Sequence, residues 1–367
     1  MKKLALFGLS LTFALAACGT KATSPAATDD AAADSGAGTD DTAGSDAAVQ
    51  DTAGTDAAAL KDVAADVGTD IATDIAGDVT SAAKLASIAR GKYLIDAVFA
   101  CGVCHTPKGA DRKPDMTKYL AGSTSYAFPM PDGTTNIVNA ENITQDAVQG
   151  IGTWTDEQIA GGIRTGVDDQ GVAFWPIMPY PEYALLTDLD VQAMVDYLRT
   201  VPANANVVPS DTFDPPSGDP PVASAKDSAI PHTTLAKSDP QFAAAERGRY
   251  LATGACIQCH TKEISPGVAD FTMAFAGGRQ HKATADAQLA TSTNITPDAT
   301  GLAGWSIADI VAAIKGNTNK AGQPLCDASP MGHGWMGDMT DGDLNDIATY
   351  IHTLPPIKNG PFTCYSK

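Results

Sequence analysis

Apolar residues recur with helical spacing at two distant places. Val191, Met194, Val195 and Leu198 fall at i, i+3, i+4 and i+7, and Leu344, Ile347, Ala348 and Ile351 repeat the pattern. Each set predicts an amphipathic helix. Thr187 and Thr340 stand as N-caps, with Asp190 and Asp343 three residues on in a capping-box-like arrangement. An earlier helix is expected through Arg90-Gly91-Lys92-Tyr93-Leu94, and another through Arg247-Gly248-Arg249-Tyr250-Leu251. A helix-interior Gly costs about 1 kcal/mol relative to Ala. Gly91 and Gly248 therefore suggest close helix crossings near Tyr197 and Tyr350, unless each Gly marks a helix end. Strand signals are few.

The apolar pattern of the first residues is different. Lys2 and Lys3 precede an apolar run from Leu4 to Ala17, too short to span a bilayer. Residues 1–18 read as an export signal. The run ends Leu15-Ala16-Ala17-Cys18, which resembles a bacterial lipobox with Cys18 as the lipidated residue. Cleavage after Ala16 is the alternative, and it would leave Cys18 as an exposed thiol in an oxidising compartment. Residues 19–82 are almost wholly small and polar, with 13 Asp against three Lys between Gly19 and Lys84. Such a segment buries too little to offset its chain entropy, so a disordered acidic tether is expected. Val63, Val67, Ile71 and Ile75 leave room for a transient helix.

From about residue 83 the chain repeats itself. Asn142-Ile143-Thr144-Gln145-Asp146 returns as Asn294-Ile295-Thr296-Pro297-Asp298, and Thr187-Asp188-Leu189-Asp190 as Thr340-Asp341-Gly342-Asp343. Tyr197 and Tyr350 each follow that last Asp by seven residues, and Val201-Pro202 and Leu354-Pro355 close the copies. A repeat this long is a duplicated domain. The expected domains are 83–205 and 239–357, joined by a Pro-, Ser- and Asp-rich linker over 206–238 and followed by a tail over 358–367.

The chemistry lies in Cys101-Gly102-Val103-Cys104-His105 and Cys256-Ile257-Gln258-Cys259-His260. Both are C-x-x-C-H, the attachment pattern of a c-type haem. Two thiols reach the two vinyl groups on one porphyrin edge, and the His then sits beneath the iron. A lone C-x-x-C is also a redox pair or half a zinc site, but both copies here carry the His. Two covalent haem c groups are expected. A second axial ligand is sought in the same register of each copy. Met178 lies nine residues before Thr187, and Met331 nine residues before Thr340. Flanking Pro and Gly place both on loops. Met336, Met339 and His333 crowd Met331 in sequence. Trp154, Trp305, Arg164 and Lys315 match in register and are candidates to face haem propionates, with packing and solvated charge as the alternatives. Of seven Cys, four belong to the haem motifs and one is Cys18. Cys326 and Cys364 remain, and in an exported chain they are expected to form a disulfide.

Together these residues resemble the class I cytochrome c family, and most of all the multihaem cytochrome subunits of bacterial membrane-bound alcohol and related dehydrogenases. The likeness covers about 83–357. It implies an all-α fold of two tandem cytochrome c domains, with His105 and Met178 on one iron and His260 and Met331 on the other. Two features depart from the family pattern. Those subunits usually carry three haem domains, and Met331-Gly332-His333-Gly334-Trp335 stands where Met-Pro-Trp or Met-Pro-Tyr is usual.

The net charge of −19 disfavours nucleic acid and suits basic or neutral partners. The expected role is electron transfer between a dehydrogenase or quinol-oxidising donor and a downstream acceptor. The lipid anchor would hold the exported protein on the periplasmic side or at the outer membrane. No nucleophile–base arrangement or nucleotide loop is evident, and no catalytic residue is assigned. The competing reading is a haem enzyme, a peroxidase or sulfur-compound oxidase, with a displaceable axial ligand.

Overall fold

In each repeat a Gly-containing helix crosses the final helix at van der Waals limits. α1 (Thr69–Tyr93) leads into a π-turn over Leu94–Val98 and packs along α5 (Asp188–Leu198). α6 (Phe242–Ala255) packs along α8 (Asp341–His352) in the same way. A Cβ on Gly91 would lie 1.8 Å from the Ala193 carbonyl oxygen, and one on Gly248 would lie 1.9 Å from that of Asp346. Ala193 and Asp346 are the same position of the repeat. The glycines are therefore crossing points within helices, as the sequence suggested. Tyr197 lies beside the first crossing, its Cβ 2.9 Å from the Cβ position of Gly91.

This computed structural model describes residues 69–109, 113–129, 135–212, 223–265, 267–281, 290–323, 325 and 335–362. All of them belong to one unit, Val67–Lys367. Between the crossing helices come α2 (Gly102–His105), α3 (Asp156–Thr165) and α4 (Tyr180–Tyr183) in the first repeat, and α7 (Ile307–Gly316) in the second. α3 and α7 start at true capping boxes, Thr155 with Gln158 and Ser306 with Asp309. The last turns of both end on left-handed residues, Gly166 and Asn317.

The fold is mostly helical, and the all-α expectation is incomplete. β1 (Ser123–Pro129) pairs antiparallel with β2 (Thr135–Ala140), with an irregularity between Thr124 and Tyr126. The second repeat carries two shorter ladders, β3 (Glu263–Ser265) with β4 (Val268–Ala269) and β5 (Gln280–His281) with β6 (Ala290–Thr291). Tyr126, Phe128, Ile137 and Val138 around Pro131-Asp132-Gly133 form a hairpin signal of β-formers about a turn sequence.

The capping-box expectation at α5 and α8 holds only by half. Thr187 and Thr340 accept from the backbone N–H of Asp190 and Asp343. The Asp carboxylates do not reach back. They bind across to the other repeat: Tyr250 donates to Asp190 at 2.7 Å, and Tyr93 donates to Asp343. Each tyrosine oxygen also accepts an N-cap N–H, from Thr187 at 3.2 Å and Thr340 at 3.1 Å. The two repeats are thus joined by a reciprocal exchange of tyrosines.

Within 206–238 the described residues dock on both sides. Thr212 and Asp211 bond to Ile137 and Asn139 of β2. Ile230 is fully buried, and Arg249 of α6 donates to the carbonyls of Asp227, Ile230 and Pro231.

Candidate haem sites

Each C-x-x-C-H stretch sits at a helix end. Cys101 caps α2, whose last residue is His105, while Cys256 caps the C-terminus of α6 and leads through a turn to His260. In both, the His N–H bonds to the carbonyl of the first Cys at 2.9 Å, which stacks the His one turn beyond it. Burial pushes the Cys101 and Cys256 thiols up to about 12. Among the described residues no three His, Cys, Asp or Glu side chains gather as a metal-ligating group.

The imidazoles have one nitrogen committed. His105 Nδ1 lies 2.7 Å from the Glu141 carbonyl oxygen, and His260 Nδ1 lies 2.8 Å from that of Thr293. A carbonyl only accepts, so Nδ1 carries the proton. Burial lowers both histidine pKa values, favouring the neutral ring. Nε2 is then left with its lone pair, as an iron ligand requires, and the carbonyl fixes the ring's tautomer and plane. The residues present therefore fit a haem held by two thioethers and a proximal His.

The Asn-Ile-Thr motif explains how that carbonyl is held. Glu141 and Thr293 immediately precede Asn142 and Asn294, both almost fully buried. Asn142 Oδ1 accepts from Thr144 N–H and Oγ1, and its amide donates to the Asn204 and Asn206 carbonyls at 2.7 and 3.1 Å. Asn294 does the same with Thr296, Ile357 and Asn359. Asn206 and Asn359 then donate to the carbonyls of Ala121 and Ala276. The clamp closes each repeat on its own C-terminal strand of chain. Sequence reasoning registered the motif without its task.

It missed Thr106 and Thr261, which follow the histidines in both copies. Their Oγ1 atoms accept from Leu120 N–H at 3.1 Å and Phe275 N–H at 3.2 Å. Leu120 and Phe275 are fully buried with φ of +58° and +62°, a strained conformation for residues with side chains. The same strain at the same position in both copies marks where the chain reverses beneath the His.

Met178 lies on the loop before α4, partly buried against the core. Its N–H bonds to the Trp175 carbonyl at 3.1 Å, and its own carbonyl accepts from Tyr180 at 2.7 Å. Met331, Cys326, Cys364 and Cys18 lie outside the described residues. Arg164 and Lys315 bond to Asp188 and Asp341, the first residues of α5 and α8. Trp154 and Trp305 pack partly buried against the core.

The two motifs share surroundings. The Cys259 thiol is pushed up by burial, drawn down by Arg279 and pushed up again by Cys104 of the other motif. Tyr183, fully enclosed, is raised first by burial and then by Cys101, Cys104, Glu182 and Cys259. Its ring also meets Phe99 at 5.2 Å between centroids.

The profile of the family described as Cytochrome c matches residues 88–202 and 245–355. The chain is 36% identical over 118 residues to the fructose dehydrogenase cytochrome subunit of Gluconobacter japonicus, covering 32% of this chain and 22% of that protein. It is 30% identical over 297 residues to the cytochrome c subunit of the quinone alcohol dehydrogenase of Gluconobacter oxydans, covering 75% of this chain and 56% of that subunit. A diheme cytochrome c-type protein of Cereibacter sphaeroides is 27% identical over 276 residues, 70% of this chain and 83% of its own length. The chain thus spans well under two thirds of the first two relatives.

Proposed function

The chain belongs to the cytochrome c family, and from that membership we propose that it is a dihaem electron carrier with no substrate chemistry of its own. Cys101, Cys104 and His105 would hold one haem c, and Cys256, Cys259 and His260 the other, with Met178 and Met331 as the second axial ligands. The bound group supplies a one-electron ferric/ferrous couple, whose potential a thioether ligand raises relative to a second imidazole. The chain's own work is to hold and shield. The carbonyls of Glu141 and Thr293 orient the imidazoles, and the Asn142 and Asn294 clamps keep those carbonyls in place. The observation that carries the reading is this duplicated pair of neutral, carbonyl-bound histidines next to paired cysteines. Met331 rests on its register with Met178.

The Phe99 ring, just before Cys101, lies against Gly254, just before Cys256, and this proximity of the attachment segments supports transfer from one haem to the other within the chain. The donor would be a dehydrogenase or a quinol oxidiser, a class suggested by the similar dehydrogenase cytochrome subunits. Docking of an acidic chain on a basic or neutral partner should weaken with salt. Export, lipid at Cys18 on the periplasmic side or outer membrane, and a Cys326–Cys364 disulfide complete the proposal.

The test is the intact mass of the purified mature protein. It should exceed the processed polypeptide by two haem groups, and Cys104→Ala and Cys259→Ala should each upset attachment in one repeat. A protein carrying one haem, or zinc in place of haem, would refute the reading. So would steady turnover of peroxide or thiosulfate without a partner.

A further inference from the structure

The loop that carries Met178 is held from the other repeat. Gln258 is a variable residue inside the second C-x-x-C-H motif. Its Nε2 donates to the Ile177 carbonyl at 2.8 Å and to the Pro176 carbonyl at 3.2 Å. These are the two carbonyls directly before Met178. Gly267, beside β4 with φ of +79°, presses on the same segment. A Cβ there would lie 2.6 Å from Pro176 Cγ.

Arg279 ties the two contacts together. Its Nη1 donates to the Gln258 carbonyl at 2.7 Å, and its Nη2 pairs with Glu263 Oε1 at 2.8 Å. The same Glu263 oxygen accepts from Gly267 N–H at 2.8 Å. The Arg279 side chain is 7% exposed. In the first repeat Val103, Lys108 and Thr124 occupy the positions of Gln258, Glu263 and Arg279, so this bracket has no counterpart there.

We infer that Gln258, seated in the second haem motif, is a positioning residue for the axial-ligand loop of the first haem, so that the second repeat sets ligation and potential at the first. The inference rests on Met178 being that ligand. An axial thioether is a weak donor that stays on iron when its loop has nowhere to recede. Fixing two successive carbonyls from a partner that is itself braced by the buried Arg279 and its half-buried partner Glu263 removes that freedom. Groups that orient ligands in this way tune the metal without touching it.

The test uses the purified full-length protein with both haems, and three readouts: the far-red methionine–iron band of the oxidised state, imidazole affinity, and midpoint potentials. Met178→Ala identifies the signals of the first haem. In Gln258→Leu the first haem's band should weaken, its midpoint should fall, and imidazole should bind it roughly ten-fold more tightly, one neutral hydrogen bond at 1.4 kcal/mol per decade. The second haem should keep its values. Gln258→Lys, which restores a donor, should return the band. If Gln258→Leu does not retain both haems, Gln258→Glu, of the same size but without the amide donor, is read in the same way. An unchanged first haem, or equal changes at both haems, overturns the inference and leaves Met178 standing. A band untouched by Met178→Ala overturns the ligand assignment and the inference with it.

Discussion

In the first repeat Asn142 gathers Thr144 with the chain at Asn204 and Asn206, and in the second Asn294 gathers Thr296 with Ile357 and Asn359. In this clamp the matched hydrogen bonds of the two copies agree to within 0.2 Å, as with 3.1 Å at Asn206 against 3.3 Å at Asn359. Where the copies meet, they differ. Asp190 takes both Arg90 and Tyr250, whereas Asp343 takes Tyr93. Arg247, the counterpart of Arg90, has gone to Asp346, where the first repeat has Ala193 and no carboxylate. The second repeat grips the Met178 loop of the first through Gln258, and Trp335 of the second packs at Gly102 of the first. The ligand-holding scaffold is constrained by the group it fits and stays duplicated. The mutual surface is free of that constraint, and among the described residues the copies there have become unequal.

The strongest way to break the comparison is to remove the clamp from one repeat at a time. Asn142→Ala strands buried carbonyls and a buried Thr N–H, and should destabilise by about 3–4 kcal/mol, at about 1–3 kcal/mol per orphaned group. Asn294→Ala should cost the same within about 1 kcal/mol if the copies are equivalent at this level. Chemical denaturation of the holoprotein measures both. Release of the Glu141 or Thr293 carbonyl should also shift the potential of the matching haem.

A smaller effect sharpens the unequal side. Tyr93→Phe leaves Asp343 without its cross-repeat donor and should cost about 1.5–3 kcal/mol, one hydrogen bond to a charged group. Tyr250→Phe should cost less, because Asp190 keeps its two bonds to Arg90. Equal costs in the same denaturation assay would contradict the assigned asymmetry.

The smallest effect is in acid. Burial pushes the Asp190 carboxyl up, but hydrogen bonds from Arg90 and Tyr250 outweigh it and hold the group below the ordinary carboxylate range. A carboxylate lowered on folding stabilises above its unfolded pKa. That contribution is lost as pH falls below about 4 through the folded value. Asp190→Asn should therefore flatten part of the loss of stability as pH falls below about 4. An unchanged acid slope would remove Asp190 from the account.

Much of this was legible from residues alone. The C-x-x-C-H motifs, the repeat register, the helices around Val191 and Leu344 and the crossings at Gly91 and Gly248 all depend on local spacing or on one backbone contact. Other features needed coordinates. The carboxylates of Asp190 and Asp343 sit where a capping box would use them, and only the partner repeat shows that a tyrosine takes them instead. The hairpin of β1 and β2 has a sequence signal in Pro131-Asp132-Gly133 between β-formers, but it lies inside a chain whose dominant period is helical. Gln258 stands at a variable position of a motif, where nothing local betrays a bond to a carbonyl more than 80 residues earlier. Long-range polar contacts of this kind leave no periodicity in the sequence.

The central claim, two low-spin haems that pass electrons and leave no iron position open to substrate, is tested most directly by a spectroscopic redox titration of the purified full-length protein. The account expects two one-electron steps, a far-red methionine–iron band in the oxidised state and no carbon monoxide binding by the reduced protein at rest. A stable high-spin haem, or a reduced protein that binds carbon monoxide readily, would contradict it.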